Sequence, residues 1–177
     1  MSFLDFSVRI KLLVEEINAT REEESILIGD ELRKQVRTRV QKQKVNADGS
    51  PFGQYSQALL PQWFFYDKSK TDTAEDKIRN GNWFISYADF REANDLYSGD
   101  IDFTFTGDMW RNTGVTEVQN DGDSVVVFIG GQTTRASNIL GWQEPRYGNI
   151  LEANEEEEKF VEEAHRERIL NKIARYL

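Results

Sequence analysis

Residues 87–112, YADFREANDLYSGDIDFTFTGDMWRN, carry the signals of a helix, a strand and a turn in one short segment. Apolar side chains recur at helical spacing over residues 88–97, and a glycine follows as a helix stop. Apolar and polar side chains then alternate over residues 101–106, which predicts a strand with one face toward a core. After a second glycine, Met109 and Trp110 place two bulky apolar groups beside the strand. The segment predicts an α+β architecture.

Helices are expected on the N-terminal side of this segment. Apolar residues recur at helical spacing over residues 6–24, and a stripe with a four-residue repeat runs over residues 25–44. Gly29 lies near the start of the second stretch. One continuous helix and two separate helices both fit this pattern.

Residues 45–82 are predicted to be a loop insertion between the helices and the rest of the chain. Turn-forming residues begin it. Residues 52–65, FGQYSQALLPQWFF, are rich in aromatic side chains and have no regular period. We expect them to form an irregular loop packed on the body or on a neighbour. Residues 67–82 are polar and are expected to form an exposed loop, with room for a turn of helix.

The C-terminal part predicts a hairpin and a closing helix. Residues 115–118 and 125–129 flank the sequence Asn-Asp-Gly-Asp, a strong hairpin turn signal. Residues 136–142 suit a short helix, followed by a loop that contains Pro145. A final helix is expected over residues 154–176, where an N-terminal asparagine and four glutamates favour the positive end of the helix dipole.

The predicted fold class is α+β, with N-terminal helices, a small antiparallel β-sheet with a hairpin, a long C-terminal helix and an extended aromatic loop insertion. A chain of 177 residues fits a single domain, 1–177. Within it we distinguish a helical part at 6–44, the insertion at 45–82 and an α+β core at 83–177.

Composition excludes several classes of protein. The chain has no cysteine, which rules out disulfides, a thiolate nucleophile and zinc–cysteine sites. No stretch approaches the roughly 20 apolar residues that a membrane span needs, and the first residues lack the pattern of a signal peptide. We therefore expect a soluble intracellular protein that has no membrane partner.

Charge is distributed unevenly along the chain. The net charge is −9, which argues against nucleic acid wrapped over the whole surface. Residues 33–44 nevertheless carry only basic charges, whereas residues 152–163 are dominated by glutamate. These two segments can pair within one chain, pair between neighbouring copies, or remain solvated helix faces.

No arrangement of residues predicts a catalytic, cofactor or metal site. Asp100, Asp102 and Asp108 are the nearest approach to a metal-binding or acid–base cluster. Strand alternation and turn positions separate them, however. The single histidine, His165, lies among charged residues in the last helix and is expected to face solvent. We expect no enzyme and no cofactor.

The order of these segments resembles the neck proteins of tailed bacteriophages, and more narrowly their tail-completion, or head-to-tail joining, and virion-morphogenesis proteins. The resemblance covers roughly residues 25–177 and departs from that family in the long insertion at 52–82. The residues that carry it are Tyr87, Phe90, Arg91, Asp102, Phe103, Thr106, Gly107, Met109 and Trp110, the strand at 125–130, and the block at 146–151.

The resemblance implies a structural virion protein. Such proteins form a ring, of twelve or six copies, below the portal, where they join the DNA-filled capsid to the tail and line the DNA conduit. The implied partners are the portal and other neck or tail proteins. Genomic DNA would pass through without specific binding, and assembly would take place in the bacterial host cytoplasm.

A ring subunit needs two different complementary surfaces, because head-to-tail contacts are heterologous. Charged helices and large aromatic side chains suit such contacts. The predicted interface residues are Arg33, Arg37, Phe52, Tyr55, Trp63, Phe64, Phe65, Met109, Trp110, Glu155 and Glu156. Two alternatives stay open: an acidic phage effector or adaptor that binds a host protein, and a small metal-dependent enzyme that uses the three aspartates.

Overall fold

The computed structural model describes residues 3–104, 106–120 and 124–176. The predicted α+β class is confirmed: a long N-terminal helix, two small antiparallel sheets and a long C-terminal helix make up the fold. The elements in chain order are α1 (Phe3–Thr38), a π-helical turn (Arg39–Gln43), β1 (Leu60–Pro61), a 3-10 helix (Gln62–Lys68), α2 (Asp72–Arg79), β2 (Phe84–Ile85), α3 (Tyr87–Ala93), α4 (Asp108–Arg111), β3 (Thr113–Asn120), β4 (Val125–Gly131), α5 (Thr134–Tyr147) and α6 (Glu155–Tyr176).

α1 is one continuous helix, which decides between the two readings of residues 6–44. At about 1.5 Å per residue it is roughly 54 Å long, and it runs through Gly29 without a break. The hairpin crosses α1 at this glycine. A Cβ atom there would lie 2.8 Å from Cγ1 of Val127 and 2.9 Å from Cγ2 of Val115. Gly29 therefore provides room for the sheet rather than a helix end.

α6 packs against α1 in the antiparallel direction. Ion pairs along the two helices fix this direction: Lys172 lies 2.9 Å from Glu24, and Arg175 lies 4.0 Å from Glu16. At the far end Arg9 donates a hydrogen bond to the carbonyl oxygen of Tyr176 at 3.2 Å. The beginning of α1 and the end of α6 therefore lie together.

The predicted hairpin is present as β3 and β4. The register runs from Asn120↔Val125 to Thr113↔Gly131, with a β-bulge between Val115 and Glu117. The turn residues 121–123 lie outside the described residues. Because a two-stranded hairpin is marginally stable alone, its packing on α1 and α5 holds it in place.

Two groups of buried side chains form the core. The larger group joins α1, α4 and α5 to the loops around residues 52 and 150, with Trp110 at 1% exposure. Its buried members are Val36, Val40, Phe52, Tyr55, Ala88, Ile101, Met109, Trp110, Leu140 and Ile150. The smaller group, Phe65, Ile78, Ile85 and Phe90, lies beneath the 3-10 helix, α2 and α3.

The strand predicted over residues 101–106 is wrong. Residues 101–104 belong to no helix or strand, and Phe103 has a left-handed backbone at φ 52°. Phe105 lies outside the described residues. Arg91 explains the irregular path, because its buried guanidinium donates to the carbonyl oxygen of Thr104 and, at 3.2 Å, to Asp102. Bonds to a side chain replace the ladder that a partner strand would supply.

Two further expectations need correction. The polar stretch 67–82 contains two turns of helix, α2, capped by the Thr71 hydroxyl that accepts a hydrogen bond from the backbone N–H of Ala74. This helix forms because Ala74 and Ile78 are buried against the body. Likewise, α5 is twice the predicted length and runs through Pro145 instead of ending in a loop.

The expected start of the last helix is confirmed. Asn154 accepts a hydrogen bond from the N–H of Glu157 at 2.8 Å, and the Glu157 carboxylate accepts one from the N–H of Asn154 at 2.9 Å. This reciprocal pair is a capping box. None of the described helices has the length and apolar composition that crossing a membrane requires.

Candidate interaction surface

Large apolar side chains are exposed where β1 and β2 pair. Pro61 pairs with Phe84, and the N–H of Gln62 donates to the carbonyl oxygen of Trp83 at 2.9 Å. This pairing brings the end of the aromatic loop beside residues 83 and 84, and Trp63 and Trp83 are 67% and 80% exposed. We call the exposed residues of this region the aromatic patch: Leu59, Leu60, Trp63, Phe64, Trp83 and Phe84.

The aromatic patch has a rigid support. Phe65 is buried directly beneath it and stacks on Phe90, with ring centroids 4.7 Å apart and planes 19° apart. Phe64 meets the edge of Phe65 at 5.3 Å, and the Lys68 ammonium lies 3.3 Å from the centroid of the Phe64 ring. Because these contacts fix the 3-10 helix, a partner would bind the patch without ordering a free loop, which lowers the entropic cost of binding.

Five of the predicted interface residues are instead core residues. Each of them is at most 8% exposed. Four lie in the larger core group with side chains of α1 and α5, and Phe65 lies in the smaller group with Ile78, Ile85 and Phe90. Their interface assignment is corrected on this ground. The five residues are Phe52, Tyr55, Phe65, Met109 and Trp110.

Trp63 and Phe64, by contrast, are exposed. Trp83 and Phe84 were missed by the sequence analysis. Their signal was the adjacent pair Trp-Phe after a polar stretch, which pairs with the aromatic loop only in three dimensions.

The basic and acidic segments meet inside this chain. Arg39 is 3% exposed and donates from Nε to Glu157 at 2.9 Å; Glu157 is 7% exposed. The other guanidinium nitrogens donate to the carbonyl oxygens of Val45 at 3.1 Å and Glu152 at 2.6 Å. One arginine thus joins the π-helical turn, the loop after it and the start of α6.

The four charged residues predicted for the interface are exposed or partly exposed, and three of them have a partner three or four residues away. Arg33 is 3.4 Å from Asp30, and Arg37 donates to the side chain of Gln41 at 2.8 Å. Glu155 is 3.0 Å from Lys159, and Glu156 is exposed. Local pairs of this kind contribute little to stability. They leave both helix surfaces accessible.

The three aspartates considered for a metal site have separate structural roles. Asp102 accepts hydrogen bonds from the Tyr55 hydroxyl at 2.7 Å and from Arg91 at 3.2 Å. Hydrogen bonding with Thr106 and then with Arg111 lowers the pKa of Asp108. Asp100 accepts a long hydrogen bond, 3.3 Å, from Tyr97. Over residues 3–104, 106–120 and 124–176, no three histidine, aspartate or glutamate side chains gather as metal ligands.

His165 is partly buried, contrary to the expectation that it faces solvent. It lines a cavity of about 560 Å³ between α1 and α6, together with Glu24 and Lys172. Hydrogen bonding and charge from Lys172 lower the pKa of Glu24. Among the described residues, no partner contacts His165 Nδ1. The group belongs to the polar seam that joins the two long helices.

A second cavity, of about 420 Å³, lies between the aromatic loop and α5. Its polar lining includes Tyr55 and Arg91, whose guanidinium carbon lies 3.9 Å from the centroid of the Tyr55 ring. Burial and the hydrogen bond to Asp102 raise the pKa of the Tyr55 hydroxyl, which is therefore a neutral donor. Arg91 is committed to Tyr97, Thr104 and Asp102. These polar groups serve the fold rather than a reaction.

No protein-family model, curated protein or solved structure matches this chain.

Proposed function

We propose that this chain is a structural virion protein that forms a ring in the neck of a tailed phage, below the portal, and joins the DNA-filled capsid to the tail. The observation that carries the proposal is the aromatic patch. Isolated exposed apolar residues are common on proteins, but neighbouring ones on a rigid support mark an interaction site. Tryptophan and other aromatic residues are also the typical anchors of protein interfaces.

The arrangement of charge supports the same proposal. The net charge of −9 keeps free subunits apart at low salt and opposes adhesion of DNA that moves through the ring. The exposed Glu155 and Glu156, and the partly exposed Arg33 and Arg37, supply charges of both signs for selecting a neighbour. The proposed partners are further copies of this chain, the portal and other neck or tail proteins.

A double substitution tests the proposal. Trp63→Ala with Phe64→Ala removes two anchors from the patch and leaves Phe65 in the core. We expect the variant to keep the circular dichroism spectrum of the wild type and to lose binding to the portal of the same phage, measured by light scattering and negative-stain electron microscopy.

A matched control is available on the helix pair. Leu12→Ala with Leu170→Ala removes two aliphatic side chains that are 47% and 53% exposed, away from the aromatic patch. We expect this control to assemble as the wild type does. Full assembly of the patch variant, or absence of the chain from purified virions by mass spectrometry, would contradict the proposed function.

A further inference from the structure

The β3–β4 hairpin has two outer edges that differ in their protection. Edge strands are usually protected from pairing by charges, prolines or bulges. β3 carries a β-bulge next to Glu117. β4 has the sequence VVVFIGG, with no charged residue, no proline and high β-propensity. Within the described part of the chain β4 pairs only with β3, so its outer edge is available for another strand.

A groove of about 480 Å³ runs along the outer edge of β4. One wall is the strand itself, including Ile129, and the opposite wall is α5, including Ser137 and Glu144. Leu32 of α1 and Leu140 of α5 contribute apolar surface. At one end of this edge the Gly131 carbonyl oxygen already accepts a hydrogen bond from the Ser137 hydroxyl at 2.9 Å. The rest of the edge pairs with no other described strand. Together with the apolar contacts, this is the arrangement that binds an added strand.

Among the described residues, no neighbour packs closely enough on Gly141 of the α5 wall to require a glycine there. A Cβ atom at this position would meet no atom within 4 Å apart from the adjoining residues and backbone of its own helix, and glycine in a helix interior is less stable than alanine. Pro145 follows four residues later and has no N–H, so the α-helical hydrogen bond to the Gly141 carbonyl is missing. A bare backbone beside a groove suits the close approach of a second backbone.

We propose that the outer edge of β4 accepts an extended segment of a second copy of this chain, residues 56–60. This segment, SQALL, is uncharged like β4, and its residues are exposed. Residues 56–59 lie outside any helix or strand. One backbone edge of the segment is already in use, because the Ser56 carbonyl oxygen accepts from the N–H of Ala88 at 3.2 Å and Leu60 pairs with Ile85. The segment would therefore pair with β4 through its other edge. Leu59, at 65% exposure, would supply the apolar side chain for the groove.

Donor and acceptor lie on opposite flanks of α5. Ile139 and Gln143 face the cavity that Ser56 and Leu60 also line, whereas Gly141 and Glu144 face the groove. At 100° per residue these two sets are well over a quarter-turn apart. Residues 56–60 therefore lie on the side of α5 that faces away from the groove of the same subunit. A contact between the segment of one subunit and the groove of another joins two different surfaces, so it is heterologous, as a ring requires. The inference deepens the proposed function and rests on it for the ring.

The first experiment uses a synthetic peptide of residues 52–61 and the full-length protein. We expect the peptide to slow hydrogen exchange at the backbone amides of β4 and to leave those of β3 unchanged. Gly141→Leu should weaken peptide binding at least tenfold, because the new side chain enters the groove. Asn138→Leu, which adds the same side chain on an exposed part of α5, should bind as the wild type does. Unchanged exchange at β4 with saturating peptide would overturn the inference.

A mixing experiment tests the direction of the contact. A subunit with Gly141→Leu has a blocked groove but keeps the donor segment, residues 56–60. A subunit with Gln57→Pro and Ala58→Pro keeps the groove, but its donor segment has lost two backbone N–H groups because proline has none. Alone, neither should form rings; mixed, they should stop at one-to-one pairs. Two results would overturn the assignment of residues 56–60 as the donor segment. One is a dimer in which the β4 strands of two subunits pair with each other; the other is slowed hydrogen exchange at β4 only when a different protein is added. Absence of the chain from virions would remove the ring proposal and leave peptide binding intact.

Discussion

Truncation of Arg39 is the sharpest test of how this fold is held together. Arg39→Met keeps most of the side chain's volume but leaves the buried Glu157 carboxylate without its cation and frees the carbonyl oxygens of Val45 and Glu152. Breaking a buried ion pair by removing one partner costs about 3–5 kcal/mol. We expect a loss of that size in the free energy of unfolding, measured by urea denaturation with tryptophan fluorescence and circular dichroism.

The design includes a rescue and a control. Arg39→Met with Glu157→Gln leaves no buried charge at this site, so we expect it to be more stable than the single variant by about 1 kcal/mol or more. Arg175→Met, which breaks an exposed pair with Glu16 at 4.0 Å, should cost less than about 1 kcal/mol. A loss below about 1 kcal/mol for Arg39→Met itself would refute the role given to this residue.

Three other outcomes follow from the packing and the pKa shifts. Gly29→Ala should destabilise the protein by about 1–3 kcal/mol, because the methyl group meets two valines of the hairpin; Gly141→Ala, with open space around it, should stabilise by about 0.5–1 kcal/mol. Thermal melts of the two variants should therefore shift in opposite directions. Burial raises the folded-state pKa of Tyr55 above its ordinary value of 10.0, so its contribution to stability is present below that pH and is lost as the pH rises further. Tyr55→Phe should flatten the loss of stability measured between about pH 10 and 12.

Local signals predicted the elements whose stability is local. The α6 cap needs only Asn154 and Glu157, three residues apart, and the structure has both hydrogen bonds. The hairpin likewise follows from a turn sequence between two β-branched runs. In both cases the residues that decide the structure are neighbours in the sequence.

Long-range contacts decided the elements that the sequence analysis missed. Apolar and polar residues alternate over 101–104 as in a strand. Arg91, however, donates hydrogen bonds to the carbonyl oxygen of Thr104 and to the Asp102 carboxylate, and the alternation of the sequence does not reveal these contacts. Residues 72–79 form a helix because Ala74 and Ile78 are buried, and Ile78 packs in the core group that contains Phe65 and Phe90. α5 continues through Pro145 because its residues before the proline already pack on the core.

The sequence predicted only part of the candidate surface, because long-range contacts also decide which aromatic side chains are exposed. An aromatic-rich segment signals burial of large rings somewhere, but the sequence does not say which ring faces inward. Phe65 and Phe64 are adjacent, yet one is core and the other is exposed. The strand pairing that adds Trp83 and Phe84 to the same region joins positions about twenty residues apart, which sequence spacing alone does not reveal.

The meeting of Arg9 with the end of α6 has a practical consequence for imaging. A gold label or a fluorescent domain attached near the start of α1 or near the end of α6 would mark the same pole of each subunit. In averaged micrographs of the proposed ring, such a marker would show whether that pole points along the ring axis or outward from it. Two independent fusions must then report a single orientation.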